Sequence, residues 1–405
     1  MPGFELFGAD ERKHVNDVME TGILMRFGFD GARKGIWKAK ELEAAISKKF
    51  GCQYTHLVSS GTTALTTVMS ALGIGYGDEV IMPTFTFVAS FECIISVGAV
   101  PVLVDVDDTL TLNPDAVRKA ITPKTKCIMP VHMCGASADL DALKQICKEH
   151  NLLLLEDACQ SFGATYKGKY LGTIGDAGTF SFDFVKTVTC GEGGAIVTNR
   201  EDIYIGSDGF SDHGHDHKGV DRGADLHPFL GYNFRISELH AAVGLAQFNR
   251  LEEFLTKQRA GHAQLKAVLS QVPEISFRRL PDEAGDSCTF LSWFLPTTEL
   301  TQAVVAEMKA QNIWGGNFYW FDHNWHYIRK WEHLKKGVTL NALHPEYKAA
   351  IMQQANKDFS ASDAVMSRSI TTQISLMPTE QQMKEKGEKI VSVVKKVLAA
   401  QKISA

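Results

Sequence analysis

Lys186 sits in the run "SFDFVKTVTCGEGGAIVTN", close to Phe180, Phe182, Phe184, Val185 and Val188. A lysine in such company either leads its ammonium back to water along its alkyl stem or stays desolvated, partly neutral and able to form a Schiff base with an aldehyde. Upstream, "LLLLEDACQSFGA" carries Glu156 and Asp157 to the end of an apolar run. A carboxylate there is costly unless it meets a cation. The pyridinium nitrogen of pyridoxal 5′-phosphate (PLP) is such a cation, and an aspartate that keeps it protonated makes the ring an electron sink. Gln160, three residues on, could donate to the ring's phenolate oxygen, whereas the plainer reading has Asp157 cap the following helix. In "VSSGTTAL", Val58 to Leu65, a strand gives way to small hydroxyl residues and a helix start. That suits a phosphate cradle with Thr62 and Thr63, or an ordinary N-cap. Ser181 could add a hydroxyl to the same phosphate, and Phe87 in "PTFTFVAS" could stack on a flat ring or belong to the core.

These residues need elements to hold them. Seven runs read as strands: "YTHLVSS", "EVIMPTF", "VPVLVDVD", "KCIMPVHM", "LLLLEDA", "GTFSF" and "GAIVTN". Between the earlier ones lie helical patterns such as "TALTTVMSALGI", "FVASFECIISVG" and "LDALKQICKEHN". The nearly unbroken apolar strands argue for burial on both faces, hence a largely parallel sheet under helices. Ligands of such sheets collect at the carboxyl ends of the strands. A long amphipathic stretch, "SELHAAVGLAQFNRLEEFLTKQRAGHAQLKAVLSQV", then leads into a second texture. The expected organisation is a large α/β domain over 1–260 and a smaller α+β domain over 261–405. The last segment reads as a closing helix with Ile390, Val393, Val394 and Val397 on one face.

Composition narrows the function. Of 405 residues, 44% are hydrophobic and 22% charged, and the net charge is -5. That balance gives no basic surface for nucleic acid or a membrane. The polar start "MPGFELFGADERKHVNDVME" has no signal-peptide core, so a cytoplasmic protein is expected. None of the eight cysteines forms a C-x-x-C pair, and they read as reduced core residues, with Cys190 beside glycines. The spacing of His213, His215 and His217 in "HGHDH" would allow zinc, but loop structure is the simpler reading, and no metal is expected.

Taken in order, "SSGTTAL", "PTFTFVAS", "GAVPVLVDVD", "PVHMCG", "EDACQSFGA", "FSFDFVKTVTCGEGGAIVTN" and "GYNFRISELHAAVGLAQFNRLEEF" resemble the DegT/StrS sugar aminotransferases, PLP enzymes of fold type I. The resemblance covers nearly the whole chain. It implies a large domain with a mostly parallel seven-stranded sheet, and a Schiff base between PLP and Lys186. It further implies Asp157 at the ring nitrogen, Gln160 at the phenolate oxygen and Phe87 on the ring face. Thr62, Thr63 and Ser181 would hold the phosphate, joined by Asn233 from the neighbouring copy of a homodimer with shared active sites. L-glutamate would be the amino donor and a carbonyl sugar the acceptor. Relatives with histidine in place of this lysine are sugar dehydratases, which Lys186 argues against; a non-catalytic binding protein is opposed by the joint presence of Lys186, Asp157 and Gln160.

The departures from the family lie on the sugar side. A Tyr-x-Pro-Leu-His run reads "YWFDH" here, Tyr319 to His323, and the segment after it is longer than usual. The early stretch "GILMRFGFDGARKGIWKAKELE" carries Arg26, Arg33, Lys34 and Lys38. In these features the chain resembles a branch of the family that acts on a free acidic sugar. That resemblance implies the C8 aldehyde of 3,8-dideoxy-8-oxo-manno-octulosonate in lipopolysaccharide sugar biosynthesis, whose carboxylate an early arginine, Arg26 or Arg33, is expected to grip. The alternative acceptor is a nucleotide-linked 3- or 4-keto sugar.

Overall fold

A computed structural model describes residues 3–219 and 221–404. Strands β1 (Tyr54–Val58), β2 (Glu79–Pro83), β3 (Val100–Val104), β4 (Thr125–Ile128), β5 (Leu153–Asp157), β8 (Ala177–Ser181) and β9 (Gly194–Thr198) form one sheet, interrupted in sequence by the small hairpin β6 (Thr165–Tyr166) and β7 (Lys169–Tyr170). Its order is β1-β9-β8-β5-β4-β2-β3, and β9 alone runs against its neighbours. All seven apolar runs of the sequence are strands of this sheet. A second, fully antiparallel sheet is ordered β10 (Ser276–Phe277), β11 (Phe290–Phe294), β13 (Ser369–Gln373), β12 (Asn317–Phe318).

Helices α1 (Ala9–Met19), α2 (Lys38–Phe50), α3 (Gly61–Ala71), α4 (Val88–Ser96), α5 (Pro114–Ala120), α6 (Leu140–His150), α7 (Glu201–Phe210) and α8 (Glu238–Asn249) accompany the large sheet. The long amphipathic stretch breaks at Arg250, and α9 (Leu251–Leu269) follows α8 directly. The second sheet packs with α10 (Thr298–Ala310) and α14 (Glu380–Ser404). By contrast, α11 (Glu332–Lys335) and α12 (Pro345–Ala355) lie on the β3 side of the large sheet, where the Tyr347 hydroxyl donates to the carbonyl of Ala99 (2.8 Å). Helix α13 (Ser360–Met366) bonds Thr84 and Asp105 through Ser362. The apolar stripe of α14 is where the sequence puts it: Ile390, Val393 and Val394 are fully buried, in one core with Leu265 of α9, Trp293 of β11 and Ile370 of β13. Among the described residues no helix is long and apolar enough to cross a membrane.

The "HGHDH" loop is built from ion pairs. His217 lies between the carboxylates of Asp208 (2.5 Å) and Asp212 (3.0 Å), and Asp212 also meets Arg222 and Arg235. Two guanidiniums on the shared carboxylate disfavour a divalent cation there. The network pins the segment bearing Asn233, whose neighbour Phe234 accepts from the N–H of Ser59 (2.8 Å), to the end of β1. Burial alone would lower the His217 pKa, but the bonds to Asp208 and Asp212 outweigh it and push the value up to about 9. The stabilisation is therefore fully present below the unfolded value near 6.5 and is lost as pH rises through about 9. Urea unfolding of the protein and of His217→Gln should differ by on the order of 3 kcal/mol near about pH 6 and converge near about pH 9.5. A gap that widens with pH would contradict this assignment.

Candidate active site

The turn expected to cradle a phosphate begins where β1 hands over to α3. Ser60 caps the helix, its Oγ accepting from the N–H of Thr63 (3.0 Å), while Thr63 Oγ1 accepts from the N–H of Ser60 (2.9 Å). The Thr63 hydroxyl thus holds the turn in shape, and Thr62 stands exposed at its mouth. Capping leaves the N–H groups of Gly61 and Thr62 without an acceptor among the described residues, the pair an anion would take. Gly61 is required by packing: a Cβ there would lie 2.8 Å from Cβ of Ser181 and 3.0 Å from Sγ of Cys159. So the ends of β1, β5 and β8 meet at this turn, and Ser181 faces it.

Asp157 closes β5 and is buried. Its Oδ1 accepts from the N–H of Cys159 (3.1 Å) and its Oδ2 from the hydroxyl of Ser90 (2.7 Å). With its one hydrogen given to Asp157, the Ser90 oxygen accepts from Thr86 (2.7 Å). Thr86 precedes Phe87, the N-cap of α4, whose ring is 40% exposed and lies 5.3 Å from that of His326. Gln160 Oε1 accepts from the N–H of Cys134 (3.2 Å), which leaves its NH₂ to donate to Nε2 of His326 (3.3 Å). His326 then carries its proton on Nδ1, toward Nδ1 of His323 (3.1 Å). Burial, His323 and the nearby Lys186 ammonium hold His326 well below its ordinary pKa, so it is a neutral acceptor.

Lys186 departs from the apolar setting expected of it. It is only partly buried, with Phe184 53% and Val185 49% exposed beside it. The segment turns outward after Phe182: Phe184 stacks on Phe4 (4.3 Å), and the Lys186 carbonyl accepts from the N–H of Gly3 (3.0 Å). The Lys186 ammonium has no hydrogen bond or ion pair among the described residues, and its charge is felt at Cys134, Cys159 and His326, on the wall that carries Asp157 and Gln160. Asn233 is exposed on the chain's surface.

The early basic stretch serves the fold instead of a ligand, which overturns the carboxylate grip. Arg26 is buried and donates to the carbonyl of Leu57 (2.7 Å) and to Glu43 (2.6 Å). Arg33 is fully buried, bonded to Glu238 (3.2 Å) and the carbonyls of Gly28 and Met25, with Trp37 on its face. Lys38 pairs with Asp17 and Glu41, and Lys34 bonds the Glu20 carbonyl. The sequence reading also passes over Ser90 and His326. A serine one helical turn from Thr86 in "TFTFVAS" is a weak trace of the first; the second has no local signal.

Residues 7–352 match the model of the DegT/DnrJ/EryC1/StrS aminotransferase family. The chain belongs to that family. It is similar to the GDP-perosamine synthase of Escherichia coli O157:H7, 38% identical over 250 residues, 62% of this chain and 65% of that one. It is likewise similar to the GDP-perosamine synthase of Caulobacter vibrioides, 42% identical over 249 residues, 61% of this chain and 64% of that one. The chain thus covers slightly less than two thirds of either relative. A solved aminotransferase from Psychrobacter cryohalolentis has the same fold, with a TM-score of 0.83, 25% identity and coverage of 97% and 98%. That family's description names aminotransferases, and PLP is the cofactor that the resemblance of the sequence implies. The residues present fit that group: two free N–H groups at a helix start, a buried carboxylate, an exposed ring face and an unpaired lysine at one set of strand ends.

Gly61→Ala should weaken PLP affinity by about tenfold or more, since relieving a methyl contact of this kind costs about 1–3 kcal/mol. Titration of apoenzyme with PLP, followed by the visible absorbance, measures it. Unchanged affinity in a folded variant would show that this turn does not bear on the cofactor.

Proposed function

We propose that the chain transfers the amino group of L-glutamate to the carbonyl of a sugar, with Lys186 as the proton carrier. The observation that carries this reading is the convergence of an unpaired Lys186, the buried Asp157, Gln160 and the Gly61–Thr62 turn at the ends of β1, β5 and β8. Bound there, PLP supplies the electron sink that lets a C–H bond beside nitrogen break. Asp157, already aligned by Ser90 and the Cys159 N–H, holds the ring nitrogen protonated. Gln160, fixed through its carbonyl by Cys134, offers its NH₂ to the ring oxygen in place of His326. Phe87 covers the ring face, and the N–H groups of Gly61 and Thr62 take the phosphate with the hydroxyls of Thr62 and Ser181. Thr63, expected at the phosphate, spends its hydroxyl proton on the Ser60 carbonyl (2.9 Å) and shapes the turn instead. Lys186 Nζ removes the proton from the donor's α-carbon and later returns one on the acceptor side.

Two chains form the working unit in this reading, with Asn233 of each serving the other's phosphate. Exposed apolar side chains flank both Lys186 (Phe184, Val185) and Asn233 (Leu230, Tyr232), as an interface between copies requires. The unit works in the cytoplasm.

The sugar is nucleotide-linked, a keto sugar of the kind implied by similarity to the GDP-perosamine synthases. The burial of Arg26 and Arg33 removes the basic grip on which a free sugar acid depended. One observation favours the octulosonate aldehyde as second reading. The segment around "YWFDHNWHY" folds over the Phe87 loop, with N–H groups of Thr86 and Val88 bonded to the carbonyls of His326 (3.0 Å) and Trp325 (2.8 Å). That segment is where the sequence departs from the family's sugar-side run.

The test is a half-reaction. Glutamate should bleach the yellow form, and after its removal a nucleotide-linked keto sugar should restore the colour while the 8-oxo octulosonate does not. Recovery with the octulosonate alone would reverse the order of the two acceptors. Lys186→Ala should lose proton transfer by a factor of about 10⁴ or more while still binding PLP. Substantial turnover in that variant would contradict the role given to Lys186.

A further inference from the structure

We propose that His262, Asp286 and Cys288 form a zinc site on the flank of the second sheet, built from none of the residues assigned to PLP. His262 lies on α9, and the other two lie in the loop between β10 and β11. One donor atom from each falls within 4.8 Å of the other two. An imidazole nitrogen, a carboxylate oxygen and a thiolate are the donor types zinc takes, and three protein ligands leave a fourth position for water.

A second observation points the same way. His262 is only 9% exposed, it faces an open cleft of about 490 Å³ shared with Asp286 and Cys288, and its ring has no hydrogen-bond partner among the described residues. Asp286 accepts from the N–H of Cys288 through Oδ1 (2.8 Å), which folds the thiol back beside the carboxylate and leaves Oδ2 unbonded among the described residues. An imidazole nearly enclosed yet unpartnered, and a carboxylate oxygen left free beside a thiol, turn their donor atoms into one cleft.

Charge permits it. The cleft also holds Lys266 and Arg259, with Arg278 behind it, but Lys266 is paired with Glu283 (2.7 Å) and Arg278 donates to the carbonyls of Thr109 and Met133. On binding, the Cys288 thiol gives its proton to solvent. The site then passes from the single negative charge of Asp286 to net zero, so these cations face no net positive charge. Zinc would tie α9 to a loop whose Ser287 donates to the Gly135 carbonyl (3.1 Å), next to the Cys134 that holds Gln160.

Untagged holoenzyme, stripped with chelator, is titrated with Co²⁺ and then with Zn²⁺. The expected result is one Co²⁺ per chain, with strong visible d–d bands and a thiolate charge-transfer band, both erased by one equivalent of Zn²⁺. Cys288→Ser should lose the charge-transfer band, and both it and His262→Ala should weaken affinity by about 100-fold or more. Zn²⁺ should raise the melting temperature of the wild type and not of either variant, which separates a lost site from a damaged fold. Absence of saturable binding, a spectrum without thiolate character, or affinities unchanged in both variants would overturn the proposal.

Discussion

Glu156 is fully enclosed at the end of β5, and a buried carboxylate at that place must have its lone pairs met. Four donors meet them: the N–H groups of Gly172 (2.8 Å), Ile174 (2.7 Å) and Gly175 (2.7 Å), and Nε2 of His132 (3.0 Å). The His132 proton is on Nε2 because its Nδ1 accepts from the N–H of Ala138 (3.1 Å). Burial alone would raise the Glu156 pKa; the His132 bond and the backbone donors outweigh it and lower it. The knot ties β5 to the turn before β8 and to the loop after β4. Since alternate strand side chains point to opposite faces, fixing Glu156 on one face fixes Asp157 on the other. One strand end thus supplies a structural carboxylate and, beside it, the one proposed to meet a cofactor.

From Asp157 the order spreads outward by hydrogen bonds whose directions follow from proton count. Thr86 donates to Ser90 and Ser90 to Asp157, so the loop that presents Phe87 is anchored to the carboxylate proposed to meet the same ring. Cys134 N–H orients Gln160, and Gln160 donates to a neutral His326. A protonated His326 would face an NH₂ group with no lone pair to offer. Its burial and the Lys186 charge therefore preserve the orientation of Gln160. The site is a set of relays rooted in the sheet, with Lys186 as its unpaired cation.

Much of this was legible in the sequence, for physical reasons that differ by residue. Strands buried on both faces have little choice but to be apolar, so the whole seven-stranded sheet could be read from its runs. Asp157 stood out because a carboxylate ending such a run requires a partner. Long-range pairing was not legible. Arg33 and Glu238 are 205 positions apart, and a basic stretch whose acids lie elsewhere reads as a solvated or ligand-binding one. His326 was hidden because its role depends on a loop folding back onto Thr86 and Val88. Phe184 and Val185 read as a burying environment for Lys186, yet the backbone turns outward after Phe182 and leaves both exposed. His262, Asp286 and Cys288 meet only because α9 packs beside the loop that enters β11.

The central claim is that this constellation holds PLP on Lys186, and covalent trapping tests it most directly. Holoenzyme reduced with borohydride, digested and sequenced by mass spectrometry should carry a single pyridoxyl group per chain, on the peptide of "SFDFVKTVTCGEGG" at Lys186. A pyridoxyl group on another lysine, or none on any, would contradict the account.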